Sequence, residues 1–315
     1  MAVQPEILVP ASLPETVQIS MDAESTKQLV TQREAALKAD ADWAQRANTL
    51  VILPCLGSFK ENVVVYPNQT ITNDEQWSLW SFQKGETNRY IDDTKIVTER
   101  TKGLENALAV FSGGVRPGSG KWTEAYTAYA TAEQNGWLEN KGSRIAAACD
   151  ISAYDSLTNI LGSLVKFYEL TGHYPKKMII VGWDFKKERF LNLHLHALGL
   201  KHILVEWIGR FNPSKDSGYE VGEAIAVKAF TEDPYGMNDI LYKKKIDRAN
   251  GVDLAQLLDE YVKKDPRLQG LIDHMKNPNE NKKNYTGVLP WNENYENEKN
   301  AKQSNYTPLP TSLAA

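Results

Sequence analysis

The 315 residues carry 36 basic and 40 acidic side chains, a net charge of -4 and 42% hydrophobic residues. A chain of this size can bury a substantial core, and its charges lack the basic stripe that grips phosphate backbones, so no nucleic-acid partner is expected. No run of about 18 apolar residues is present to span a bilayer. The opening MAVQPEILVPASLPET also lacks the parts of a secretory signal, and two cysteines, Cys55 and Cys149, are too few for a disulfide framework. Together these features predict a soluble protein of the cytoplasm, in which the sequons at Asn68, Asn284 and Asn305 are chance matches.

Residues 1–23, with Pro5, Pro10 and Pro14, read as an extended arm, and one α/β domain is expected over 24–275. Good helix formers with an apolar side predict a first helix over 24–47. From Thr49 the text turns to LVILPCLGS, a β-branched run stopped by glycine, as a strand buried on both faces requires. Four similar runs follow, at 107–114, 143–150, 177–184 and 201–209, separated by helix-length segments at 122–136, 155–171 and 186–198. Strand, helix and strand in alternation predict an α/β fold with a doubly wound, Rossmann-like parallel sheet of about five strands. Two inserted helices are expected at 75–83 and 88–99, and a helical extension at 219–231, 235–248, 253–263 and 267–275. Residues 276–315 form an Asn- and Lys-rich irregular tail whose apolar pentad GVLPW, 287–291, is suited to dock on the body.

Ligands of open parallel sheets bind beyond the carboxyl ends of the strands, where helix N-termini offer free N–H groups. Strand one ends in Cys55-Leu56-Gly57-Ser58, and strand two in Ser112-Gly113-Gly114, followed by Arg116, Lys121, Thr123 and Glu124. Adjacent glycines let backbone approach a ligand, and the two cations suit an anionic group. Gly118-Ser119-Gly120-Lys121 runs into Trp122, so the Ser or Thr of a nucleotide-binding P-loop is missing. Strand three leads to Asp155, Ser156 and Asn159, the last two sharing one face of a helical first turn, and strand four leads to Asp184, Lys186 and Arg189. His194 and His196 are two apart on a helix and diverge by about 200°, which argues against a metal site. Cys55 reads as a small apolar residue.

The ordered series SGG at 112–114, TEA at 123–125, DSLTN at 155–159 and KKERF at 186–190 resembles the SanA- and YdcF-like family, particularly its soluble fungal branch, over residues 48–210. By that likeness Gly113, Gly114, Glu124, Ser156, Asn159 and Arg189 surround the family's ligand cleft, and Trp77 and Gln83 match a segment of the fungal relatives. Histidines found in bacterial relatives are replaced here, as at Phe185-Lys186, so no general base carries over. The resemblance leaves S-adenosylmethionine open as a cofactor. The expected function is an enzyme of hydrolase or transferase type acting on a small phosphorylated or nucleotide-like molecule. In it Gly57, Ser58, Ser112, Gly113, Gly114, Ser156, Asn159 and Lys186 would position the anion and Arg116 and Arg189 neutralise charge, while Glu124, Asp155 or Asp184 serve as acid or base. The rival expectation is a non-catalytic binding or assembly module that keeps the cleft.

Overall fold

The computed structural model describes residues 20–200, 202–210, 218–292 and 295. Five strands form one parallel sheet: β1 (Thr49–Pro54), β2 (Ala107–Ser112), β3 (Ala146–Asp150), β4 (Lys177–Trp183) and β5 (Leu204–Arg210), in the spatial order β3-β2-β1-β4-β5. Alternate residues of the central strands supply two cores. Val51, Ala109 and Ile179 pack under α1 (Ala23–Ala39), α3 (Thr87–Lys102) and α4 (Glu124–Gln134). Leu50, Leu108 and Met178 pack on the other face, under α5 (Ser156–Thr171). This is why the strands read as unbroken apolar runs. The connections after β1 and β2 lie on one face and those after β3 and β4 on the other, so the winding reverses between β1 and β4, the place where such folds open a crevice.

Local chemistry explains where helices begin and end. The segment 24–47 divides into α1 and α2 (Ala41–Arg46) because Asp40 closes the first helix with its N–H and caps the second by accepting from the Trp43 N–H. Residues 75–83 are not a helix. Trp77 and Ser78 pair with Phe59 and Ser58 in a short antiparallel ladder, flanked by single 3-10 turns at Asp74–Gln76 and Ser81–Gln83. The Trp77 ring is buried edge-on against Phe59, and its Nε1 donates to the Ile71 carbonyl, so packing overrides helix propensity. The segment 186–198 starts as a π-helical stretch, Arg189–His194, and ends in α6 (Leu195–Ala197).

Beyond β5 come α7 (Tyr219–Glu232), α8 (Asp239–Ala249), α9 (Leu254–Lys264) and α10 (Gln269–Lys276). Leu289 and Trp291 of the apolar pentad are buried, with Trp291 Nε1 donating to the Leu198 carbonyl and its ring edge-on to Tyr174. At the other end Met21 pairs with Val65, while the rest of the expected arm, 1–19, lies outside the described residues, as do 293–294 and 296–315 of the tail. Among the described residues no helix is long and apolar enough to cross a membrane.

Candidate functional site

A cavity of about 350 Å³, its solvent mouth included, opens at the end of β1 between α3 and α4; Cys55, Gly57, Tyr90, Asp93 and Glu124 are among its walls. Gly57 turns there with φ +109°, and a Cβ would press on Leu79 and Tyr90. Its N–H donates to Glu124 Oε1 at 2.9 Å. The same oxygen accepts from Arg116 Nη1 at 2.8 Å, while Arg116 Nη2 donates to Gln83 and the guanidinium lies over the Trp80 ring. Glu124 sits tightly on Gly113, where a Cβ would come within 2.7 Å of the glutamate's own Cβ. Thr123 caps α4 and so fixes the direction in which Glu124 enters the cavity.

The ends of β2 and β3 carry a second network. Ser112 Oγ lies 2.7 Å from Asp150 Oδ2 and 2.9 Å from the Asn159 side chain. One hydroxyl hydrogen cannot serve two acceptors, so the hydroxyl donates to Asp150 and the Asn159 amide turns its NH₂ toward Ser112. Asp150 also accepts from the Ser152 N–H, and Gly162 leaves the space that this carboxylate occupies. Gly114 is covered by the Tyr154 ring, which a Cβ would strike at 2.6 Å.

The third part lies between α5 and the chain after β4. Asp155 caps α5 by accepting from Thr158, and its other oxygen pairs with Lys245 of α8 at 2.8 Å; both side chains are buried. Although burial opposes ionisation, Lys245 holds the Asp155 carboxyl below its usual value. Ser156 Oγ accepts from Arg189 Nη1 and faces His194 Nε2 at 2.7 Å. Its hydrogen therefore goes to His194, whose ring is wedged between Phe190 and Phe230. Burial and Arg189 push His194 well below its ordinary pKa, so the ring is neutral and accepts a hydrogen bond more readily than a proton. Arg189 itself is clamped by Glu223 of α7, Nε to Oε1 at 2.7 Å and Nη2 to Oε2 at 2.9 Å.

Around this clamp stand cations without acidic partners. Lys186 rests its ammonium on the Trp183 and Phe185 rings. Part of its surface reaches solvent, yet protein encloses it densely, and burial with Arg189 and Arg248 lowers its pKa to about 8. Arg248 donates to the Tyr154 carbonyl and lies close enough to Arg116, Glu124, Asp155 and Arg189 to feel each charge. Lys244, one turn away on α8, is pushed down by burial and by Arg248 and Arg189. Among the described residues neither Lys186 nor Arg248 has a carboxylate within ion-pair distance.

The structure thus brings Gly57, Gly113, Gly114, Arg116, Glu124, Ser156, Lys186 and Arg189 to one end of the sheet, but several assigned roles change. Asp155 is consumed by its cap and by Lys245, so it is a structural carboxylate. Asp184 is exposed and lies over Gly209 of β5, at the sheet edge, where a Cβ on that glycine would meet its carboxylate. Ser58 is fully buried in the short ladder, with no hydrogen-bond partner for its hydroxyl among the described residues. Ser112 is held between Asp150 and Asn159, and Lys121 pairs on the surface with Glu24. Glu124 is held by Gly57 and Arg116, with Arg189 engaged elsewhere. Missed in the sequence were His194 as a partner of Ser156, Glu223, and the α8 cations. Lys244 and Arg248, like charges four apart on one helix face, oppose helix formation without another purpose and were the available signal.

A stretch of 105 residues, 30% of the chain, is 29% identical to the uncharacterized protein YOR238W of Saccharomyces cerevisiae. The match takes in 35% of that yeast protein's length. No family model matches the sequence, and no solved structure matches it significantly.

Proposed function

We propose that the strand-end cleft binds a small phosphorylated or nucleotide-like polyanion. One observation carries the reading: Lys186, Arg248 and Lys244 converge on the Arg189 clamp, and the carboxylates nearby are already committed to Arg116, Arg189, Lys245 and Arg210. Lys186 and Arg248 are enclosed by protein with Lys244 exposed beside them; like charges this close repel until an anion enters, and phosphate oxygens suit both the arginine fork and the lysine point charge. S-adenosylmethionine fits less well, since its sulfonium would add positive charge. The reading agrees with the cleft implied by the SanA- and YdcF-like resemblance and with a cytoplasmic protein whose two cysteines are buried and free.

A hydrolase or transferase of this kind would need a base. Two carboxylates line the cavity, Asp93, held by Arg210 and Trp183, and Glu124, for which release from Arg116 would be the step that frees it. A non-catalytic binding module is favoured by a specific observation: Glu124, Asp150 and Asp155 are all held by hydrogen bonds or ion pairs. Thermal melting with inorganic phosphate, ADP, glucose 6-phosphate and S-adenosylmethionine tests the reading. A ligand at a hundred times its dissociation constant stabilises by about 2.7 kcal/mol. ADP or the sugar phosphate should raise the melting temperature, and Arg248→Met should shrink the rise. No shift with any phosphate compound, or a shift with S-adenosylmethionine alone, would overturn it. Turnover of the compound that binds then separates enzyme from module.

A further inference from the structure

At the opposite end of the sheet, beside the start of β3, lies a second cationic site unrelated to the cleft. Arg33 of α1 is 5% exposed, and none of its three guanidinium nitrogens has a hydrogen-bond partner among the described residues. Glu133 of α4, itself fully buried, stands 3.7 Å from Nη2, beyond hydrogen-bond reach, and its Oε1 is likewise unpartnered. Its other oxygen is taken by Arg144, a second buried guanidinium. Arg144 also faces Glu139 at 3.9 Å, but that carboxylate is 45% exposed and is screened by water. Two buried guanidinium groups therefore share one buried carboxylate. Their mutual effect is visible in Arg33, whose ionisation is disfavoured by burial and then by Arg144.

A guanidinium stripped of water and left without acceptors is destabilising by several kcal/mol, so an arrangement of this kind requires something in the space beside it. Such a space exists. A small cavity, on the scale of one water-sized particle, is lined by Arg33, Arg144, Tyr129, Leu37, Leu138 and Ile145. A water molecule there could accept from Arg33 but would leave the excess positive charge uncompensated. Phosphate and sulfate exceed the room, and the apolar walls offer no hydration for a divalent ion.

We propose that this cavity is a structural binding site for a small monovalent anion of the halide class, held by the Arg33 guanidinium with Arg144 beside it. The anion ties α1 to α4 and to the edge of the sheet.

The test compares melting in sodium chloride, sodium bromide and sodium gluconate at equal ionic strength. Chloride and bromide should raise the melting temperature by about 2 °C over gluconate, saturating with concentration. Arg33→Met should lose that increment. Lys186→Met, which alters only the distant cleft, should keep it, and so separates this site from anion binding at the strand ends. Should Arg33→Met not fold, crystals of the native protein soaked in bromide should show anomalous density in contact with Arg33. Melting that is indifferent to the anion, an increment that survives Arg33→Met, or bromide absent from the cavity would overturn the proposal.

Discussion

The two walls of the cleft solve the problem of buried charge in opposite ways. On the β1–β2 side Arg116 is held by Glu124, Gln83 and the face of Trp80, and Glu124 in turn by the Gly57 N–H. On the α8 side Lys186, Lys244 and Arg248 crowd the Arg189–Glu223 pair and find no further acid. The placement of carboxylates shows that the cation of one wall is paired within the protein, while Lys186 and Arg248 of the other have no carboxylate within ion-pair distance among the described residues.

The comparison breaks most sharply at α8, where compensated and uncompensated cations are three residues apart. Lys245 is 4% exposed and paired with Asp155, whereas Arg248 has no acid. Lys245→Met should destabilise the protein by about 3–5 kcal/mol in urea unfolding, because it strands a buried carboxylate. The double change with Asp155→Asn should recover part of that loss. A single-mutant cost below about 1 kcal/mol would show that Asp155 is not buried as a charge.

Gly113 sharpens the other wall. An added Cβ would lie 2.6 Å from the Glu124 carboxylate and 2.7 Å from its Cβ. The carboxylate could swing away; the Cβ is fixed to the start of α4 and cannot. Gly113→Ala should therefore cost about 1–3 kcal/mol, the range for overpacking, and should loosen the Arg116–Glu124 pair. Gly85→Ala makes a useful control for a steric cause, since nothing lies within 4 Å of its added Cβ and only its φ of +82° is strained.

The fold was legible because its signal is physical and local. Strands buried on both faces must be apolar throughout, so β1 to β5 stand out in the text, and caps such as Asp155 and Thr123 lie where helices begin. Residues 75–83 misled because Trp77 and Trp80 have helical spacing, while the burial of Trp77 against Phe59 and the contact of the exposed Trp80 with Arg116 are decided by partners elsewhere in the chain. Half of the site was legible for the same reason that strand ends are: Gly113, Ser156 and Arg189 follow strands directly. Lys186 also follows a strand end and was expected at the anion, whereas Arg248 comes from a helix added after the sheet is complete. No local rule links residue 248 to residue 189; only the tertiary fold does.

Removing the uncompensated charge should act in the opposite direction from removing Lys245. Arg248→Met retains much of the side chain's apolar contact and removes a buried cation and its repulsion with Arg116 and Arg189, which offsets the lost attraction to Glu124 and Asp155. The free protein should gain about 0.5–1 kcal/mol or stay unchanged, and affinity for the phosphate ligand should fall about tenfold or more. Loss of stability comparable to that of Lys245→Met would mean that Arg248 serves the fold and that both walls are alike.

The smallest expected effect is one of pH, and it comes from Lys186. Its pKa of about 8, against 10.5 for an ordinary lysine, means that between these values the folded protein releases a proton that the unfolded chain retains. Stability follows the excess of protons on the unfolded state, so this group makes the free protein more stable as pH rises from about 8 toward 10.5. Below about 8 both states are protonated and the cost of the buried ammonium is constant. One proton limits the slope to about 1.4 kcal/mol per pH unit, and solvent at the mouth of the cleft reduces it to a fraction of that. Anion binding runs the other way, because it needs the charged amine: the stabilisation conferred by ADP should be full below pH 8 and decline above it. Melting curves from pH 7 to 10, with and without ADP, should therefore converge as pH increases. In Lys186→Met they should keep a fixed, smaller separation. Convergence that persists unchanged in that variant would assign the titration to another group and leave Lys186 as an ordinary charge at the cleft mouth.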